Sequence, residues 1–357
     1  MLFRSEVIAA AVLHDMQTGP FGHSMQYVLE DNAPAGTFIH EDLSHGWRST
    51  YHQHVLAGAT FAGRPFAAPA FLGARWDNVA KIIRGEGRFG PLIAGTMDLD
   101  NIDNVVRLAY HVGVADRSDC VIPLSLAADM DVIDGQISLS PSSVESVVRW
   151  QAIRRRLYEL LLLDWAEFSA KAMLTRAIER ASSKQLIGPD TWVRTDSEFL
   201  HFLERSTVGE AQEVGDMVRR LRRGELYEPV RLLRTSSVNL YSTLNAISAK
   251  GEIEKTVLNA ASVKGVKLLV HFILDKGKTD RQISFIDRYS GDQRIIGKSS
   301  SQLLCGAFIS TGKLSEAERA LLGIQFEQLL RDHGAIDIED LEDPMEEESF
   351  PAQPSLL

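Results

Sequence analysis

Apolar residues recur at helical spacing through most of the first two-thirds of the chain. Residues 7–13, 77–84 and 100–112 each place their hydrophobic side chains three and four positions apart, which predicts short amphipathic helices. The longest such run covers about 142–180, where Val148, Trp150, Ile153, Leu157, Leu161, Trp165, Phe168 and Leu174 return to one broad face. Pro141 beside Ser142, and Glu145 three residues after that serine, have the spacing of a capping box at its start. Just before it, residues 130–133 and 136–139 flank Asp134-Gly135 and predict a tight hairpin. The pattern changes after about Thr235. Residues 267–274, 282–287 and 302–309 read as strands, and a final helix over about 315–330 is followed by Gly334. The expectation is a mainly α chain with a helical body at 1–235, a smaller α+β domain at 236–332, and a tail at 333–357. No internal repeat is evident.

Composition narrows the class. With 357 residues, 45% hydrophobic and 24% charged, the chain can bury a sizeable core. No apolar run approaches the roughly 20 residues of a membrane span, and 7–13 is too short for a signal peptide and runs straight into His14-Asp15. Cys120 and Cys305 lack a CxxC spacing, so neither a zinc cluster nor a disulfide framework is expected, and a reducing cytoplasm fits. The net charge of -10 is concentrated in eight acids between Asp337 and Glu348; together with Pro344, Pro351 and Pro354 they predict a solvated, disordered end. The body is near neutral. Arg219, Arg220, Arg222 and Arg223 read as a solvent face or ion-pair belt rather than a nucleic-acid site. Gly85-Glu86-Gly87-Arg88-Phe89-Gly90 matches GxGxxG, but it follows a helix and leads into Pro91, so it reads as a loop and not a dinucleotide fingerprint. Residues 291–299 carry one residue too many between glycines for a P-loop.

The stretch His14-Asp15-Met16-Gln17-Thr18-Gly19-Pro20-Phe21-Gly22-His23 carries the most chemistry. An imidazole and a carboxylate side by side at a helix end can hold one divalent ion between them, and Gly19 and Pro20 break the helix and bring His23 back towards the pair. Farther on, Asp100, Asp103, Asn104 and Arg107 stand at i, i+3, i+4 and i+7 of one helical face. Asp100 is the candidate third ligand, joining His14 and Asp15. Mixed nitrogen and oxygen donors suit manganese, magnesium or iron better than a structural zinc. Asp98 reads as an N-cap, and Asp103 with Arg107 reads equally well as an ordinary helix salt bridge. His23 and His40 are candidates for polarising a substrate or protonating a leaving oxygen. The plain alternative is that His14-Asp15 is only a polar helix end.

Taken together, these motifs resemble the HD-domain phosphohydrolases, and within them the deoxynucleoside triphosphate triphosphohydrolases. The resemblance rests on His14-Asp15, on Pro20, Phe21 and His23, on His40-Glu41, and on Asp98, Asp100, Asp103 and Arg107. It extends more weakly to 195–200 and 222–227, so it covers about the first two-thirds of the chain. It implies an HD-domain helical body, a divalent metal held by His14, Asp15 and Asp100, and attack of metal-bound water on a nucleotide or related phosphate ester. Asn101, Asn104 and Arg107 then become candidate substrate contacts, and homo-oligomerisation is implied. The chain also departs from the pattern. The family's further ligand, a His on a helix upstream of the pair, has no counterpart in residues 1–13. That leaves open a start upstream of Met1, a three-ligand site completed by water, His23 or His40, or weaker metal binding. Thr18 stands at a second His, Asn101 at a basic residue, Asn104 at a Tyr, Leu108 at an Asp and Asp164 at an Arg. These changes remove cations that a triphosphate would need, so the alternative is a catalytically reduced HD-fold protein that binds a nucleotide or a protein partner.

Overall fold

A computed structural model describes residues 2–15, 19–22, 24–25, 28, 60–61, 64–65, 71–187, 191, 194–205, 212–310 and 314–341. The described chain is mainly helical with small sheets. It separates into two compact units that interleave along the sequence. The first comprises Met1–Arg154, Ile178–Gly215 and Arg281–Lys298, and the second comprises Arg155–Ala177, Asp216–Asp280 and Ser299–Leu357.

The first unit begins with α1 (Leu2–Leu13), whose Ala10 packs with Val79, Ala80, Ile82 and Ile83 of α2 (Trp76–Ile83). Two short paired strands, β1 (Thr60–Phe61) and β2 (Arg64–Pro65), lie between them in sequence. The GxGxxG segment after α2 is a loop, as its context predicts. Gly85 has φ +77, and a Cβ on Gly90 would meet the backbone carbon of Gly85 at 2.1 Å, so the glycines there serve a tight chain reversal. Helix α3 (Leu99–His111) buries Ile102, Val105, Val106 and Ala109, the i, i+3, i+4, i+7 set, and leaves Asp103, Asn104 and Arg107 facing solvent. The Asp98 side chain accepts from Asn101 N at 2.6 Å and caps the helix as expected. Next come α4 (Ile122–Asp129), β3 (Asp131–Ile133) and β4 (Gln136–Leu139). Asp134 and Gly135 both take positive φ, 49° and 75°, which is the hairpin geometry their sequence predicts.

Two expectations from the pattern need correction here. The long helix is two helices, α5 (Val144–Leu163) and α6 (Trp165–Ser183). Asp164 separates them, its Oδ1 accepting from Glu167 N at 2.9 Å, so it acts as the cap of the second helix while the hydrophobic phase runs on. The Ser142 hydroxyl meets Ser140 Oγ in a 3-10 turn at Pro141–Ser143, and the Asp129 carboxylate gathers Ser140 N, Ser140 Oγ and Ser143 Oγ there. The strand read at 282–287 forms as β7 (Ile283–Asp287), yet it lies parallel to β4 and antiparallel to β8 (Gln293–Ile296), in the order β3-β4-β7-β8. This sheet therefore crosses the sequence boundary drawn at 235. Helix α7 (Asp196–Glu204) starts with a complete Thr195–Glu198 capping box.

The second unit holds α8 (Gln212–Arg223), β5 (Glu228–Thr235), α9 (Ile247–Ala260), β6 (Leu268–Leu274), β9 (Leu303–Ile309), α10 (Glu316–Asp332) and β10 (Glu339–Asp340). Its antiparallel sheet has the order β10-β5-β9-β6. Val270, Phe272, Cys305 and Ala307 from the sheet pack with Ile253 and Val257 of α9 and Leu322 and Phe326 of α10. Residues 333–341, read from sequence as the start of a disordered tail, are ordered. Glu339 and Asp340 pair with β5, where Arg234 and Arg231 meet them at 2.8 Å and 3.0 Å and offset two of the eight acids that suggested a tail. Residues 342–357 lie outside the described residues. Cys120 and Cys305 are both free.

Candidate functional site

All the described parts of the site belong to the first unit. His14 leaves the C-terminal end of α1, and its Nδ1 lies 2.8 Å from the Ala11 carbonyl, which makes Nδ1 the protonated donor and turns Nε2 outward. Nε2 faces two carboxylates, Asp15 Oδ2 at 3.2 Å and Asp100 Oδ2 at 3.8 Å. Asp100 comes from the first turn of α3, so two elements far apart in sequence converge on one imidazole nitrogen. The negative charges of Asp100 and then Asp15 beside Nε2 outweigh the opposing effect of burial and raise the His14 pKa from 6.5 to about 10. The charged form of His14 is therefore favoured at neutral pH.

The donor chemistry of this group suits a divalent cation. Two ligand atoms each about 2.1 Å from a shared ion lie roughly 3.0 Å apart at right angles, close to the His14–Asp15 separation, and Asp100 would have to close by about half an ångström or more. As they stand, no three His, Cys, Asp or Glu side chains among the described residues form a ready-made metal cage. The three residues form a cluster in which the two carboxylates favour the charged imidazole, so an ion bound at Nε2 would take the place of its proton.

The remaining expected residues fall differently. His23 and His40 lie outside the described residues. Asn104 Nδ2 donates to Asp100 Oδ2 at 2.7 Å, and Arg107 bonds Asp103 Oδ2 through Nε at 3.0 Å and Asn104 Oδ1 through Nη2. Both are thus engaged along α3. The Asn101 side chain is half-buried, and its Oδ1 has no hydrogen-bond partner among the described residues. Asp98 serves as the cap, and burial raises its pKa.

The turn after the His-Asp pair has a support that sequence reasoning missed. Phe21 takes φ +58, a left-handed conformation costly for a bulky residue, followed by Gly22 at φ +56. Its backbone N–H donates to Asp196 Oδ1 at 2.7 Å, and its ring lies 6.4 Å from that of Phe199. Helix α7 thereby holds the turn in place. Residues 195–200 carried only a weaker part of the family resemblance in the sequence, and nothing local tied Asp196 to Phe21.

No protein-family model matches the chain. Among curated proteins it is similar to the uncharacterized protein YwfO of Bacillus subtilis (strain 168), 22% identical over 332 residues, or 82% of this chain and 72% of that one. Among solved structures it is similar to a phosphohydrolase from Bacteroides thetaiotaomicron VPI-5482, with a TM-score of 0.53 and 14% identity, covering 85% of this chain and 80% of that one. At that identity the likeness is one of fold: the chain has a phosphohydrolase-like fold. Among the described residues, no helix is long and apolar enough to cross a membrane.

Proposed function

We propose that the protein is a metal-dependent phosphohydrolase of the HD class, acting on a nucleotide or a related phosphate ester. One observation carries this reading: His14, Asp15 and Asp100 meet at a single imidazole nitrogen, on a fold shared with a phosphohydrolase. His14 would supply Nε2 once deprotonated, and Asp15 and Asp100 one carboxylate oxygen each, with Nδ1 fixed by Ala11. Bound there, a Mn, Mg or Fe ion lowers the pKa of its water and neutralises charge on the phosphoryl oxygens. His23 and His40, which lie outside the described residues, are assigned to polarising the substrate or protonating the leaving oxygen. Purified protein given Mn or Mg is expected to release phosphate, triphosphate or nucleoside from a nucleotide panel. Asp100→Ala should abolish that release; activity that survives the substitution rejects the site.

A second reading has its own observation. Asn104 and Asp164, which stand where the resemblance implies a Tyr and an Arg, are engaged within the chain, Asn104 on Asp100 and Asp164 as the cap of α6, and this favours a reduced protein that uses the fold to bind a nucleotide or partner. Elemental analysis separates the two, since stoichiometric bound metal weighs against binding alone. Homo-oligomerisation is proposed with the first reading and is checked by light scattering of the purified chain.

A further inference from the structure

We infer that Asn104 and Arg107 are positioning residues for the Asp100 carboxylate and not contacts for substrate; the inference rests on the metal-site reading above. The four polar residues of the exposed α3 face form one ordered chain: Asp103 to Arg107, Arg107 to Asn104, Asn104 to Asp100, and Asp100 to His14. Hydrogen-bond chemistry fixes its direction. A guanidinium carries donors only, so the Asn104 oxygen must be the atom facing Arg107, and this forces the Asn104 amide nitrogen towards Asp100. The amide is therefore locked against flipping, and Asp100 Oδ2 is held by a donor at 2.7 Å on the side where it faces His14 Nε2.

The charges are arranged to the same end. Arg107 spends its cation on Asp103 through Nε at 3.0 Å, and only a neutral amide reaches Asp100. A guanidinium placed directly on Asp100 would compete with an incoming ion for the carboxylate. The intervening amide orients the acid and leaves its negative charge available. Asn104 and Arg107 are both exposed, so their contacts to Asp103 and Asp100 are not forced by packing in the core. They lie on the helix face opposite Ile102, Val105, Val106 and Ala109.

The test is Mn(II) affinity of the full chain, measured by electron paramagnetic resonance for the parent, Asn104→Ala, Asn104→Asp, Arg107→Met and Asp100→Ala. Loss of an outer partner that orients a ligand typically weakens metal binding by about 10- to 100-fold. Asn104→Ala should fall in that range. Asn104→Asp removes the same donor but adds a negative charge beside the ion, so it should lose less affinity than Asn104→Ala. Arg107→Met should weaken binding less, since the amide survives but is free to turn. Excess Mn(II) should restore turnover in Asn104→Ala with KM near that of the parent, an effect that a lost substrate contact would not give. Thermal melting confirms that each variant is folded; Ala is a good helix former at this exposed position. If Asn104→Ala binds Mn(II) within twofold of the parent while Asp100→Ala loses it, the relay is wrong and the site stands. Parental affinity in Asp100→Ala, or no binding by the parent, overturns the site itself and the relay with it.

Discussion

Because Asp100 and Asp15 favour the protonated form of His14, a divalent metal bound at Nε2 must displace a proton, and this can be measured. His14 is raised to about 10, chiefly by Asp100 and then by Asp15. At pH 7, about three units lower, roughly one molecule in a thousand carries a free Nε2, so apparent metal affinity should lie about a thousandfold below its high-pH value. Affinity should climb about tenfold per pH unit between roughly pH 6.5 and 8.5, with close to one proton released per ion. The metal-free fold should behave in the opposite sense. A raised folded-state pKa gives stability that is fully present below the ordinary 6.5 and is lost as pH rises towards about 10. Calorimetric titration with Mn(II) in buffers of differing ionisation enthalpy reads the proton count directly, and melting of the metal-free protein across the same range reads the second effect. Asp100→Asn removes the larger of the two causes and should flatten both profiles. Metal affinity that is independent of pH, or binding without proton release, would refute the assignment of Nε2 as a ligand.

Two further substitutions test the scaffold. Asp196→Ala removes the acceptor for Phe21 N and should destabilise the first unit by about 1–2 kcal/mol in urea denaturation; an unchanged midpoint would mean the turn stands without it. Arg176 and Glu254 form a buried bidentate pair at 2.7 Å and 3.0 Å, so Glu254→Ala should cost about 3–5 kcal/mol by removing the carboxylate that neutralises the buried guanidinium. The double change Arg176→Met with Glu254→Leu should recover only part of that loss, because Val270 N and Val270 O then lose their side-chain partners; full recovery would show that those two contacts contribute nothing.

Local signals made some elements legible and non-local ones concealed others. The face and cap of α3 could be read directly, because burial at i, i+3, i+4 and i+7 and an Asp one residue before the helix are properties of consecutive residues. Hydrophobic phase ran unbroken through Asp164, however, and one capping carboxylate divides a helix without disturbing it. Strand β5 escaped notice because Arg231 and Arg234 interrupt its apolar pattern, and their partners Asp340 and Glu339 lie about a hundred residues away. Existence of β7 was visible, but its parallel pairing with β4 was not, since no local pattern names a distant neighbour. The same limit applies to the site. His14, Asp15 and Asp100 stand out by type and spacing. The turning of Asn104 towards Asp100 follows from a guanidinium at position 107, and Asp196 reaches Phe21 only once α7 is folded.

β6 ends the second unit's sheet, and Ser310 N to Lys267 O and Asp275 N to Gln302 O place the odd-numbered residues against β9, so Val270 turns its peptide groups to the free side. There Glu254 Oε1 accepts from Val270 N at 2.9 Å, and Arg176 Nη2 donates to Val270 O at 3.4 Å. Two side chains borrowed from helices thus imitate the strand that is missing. A strand from another molecule cannot dock at that point without first breaking a buried ion pair, so this edge of the sheet is closed to β-sheet extension from within.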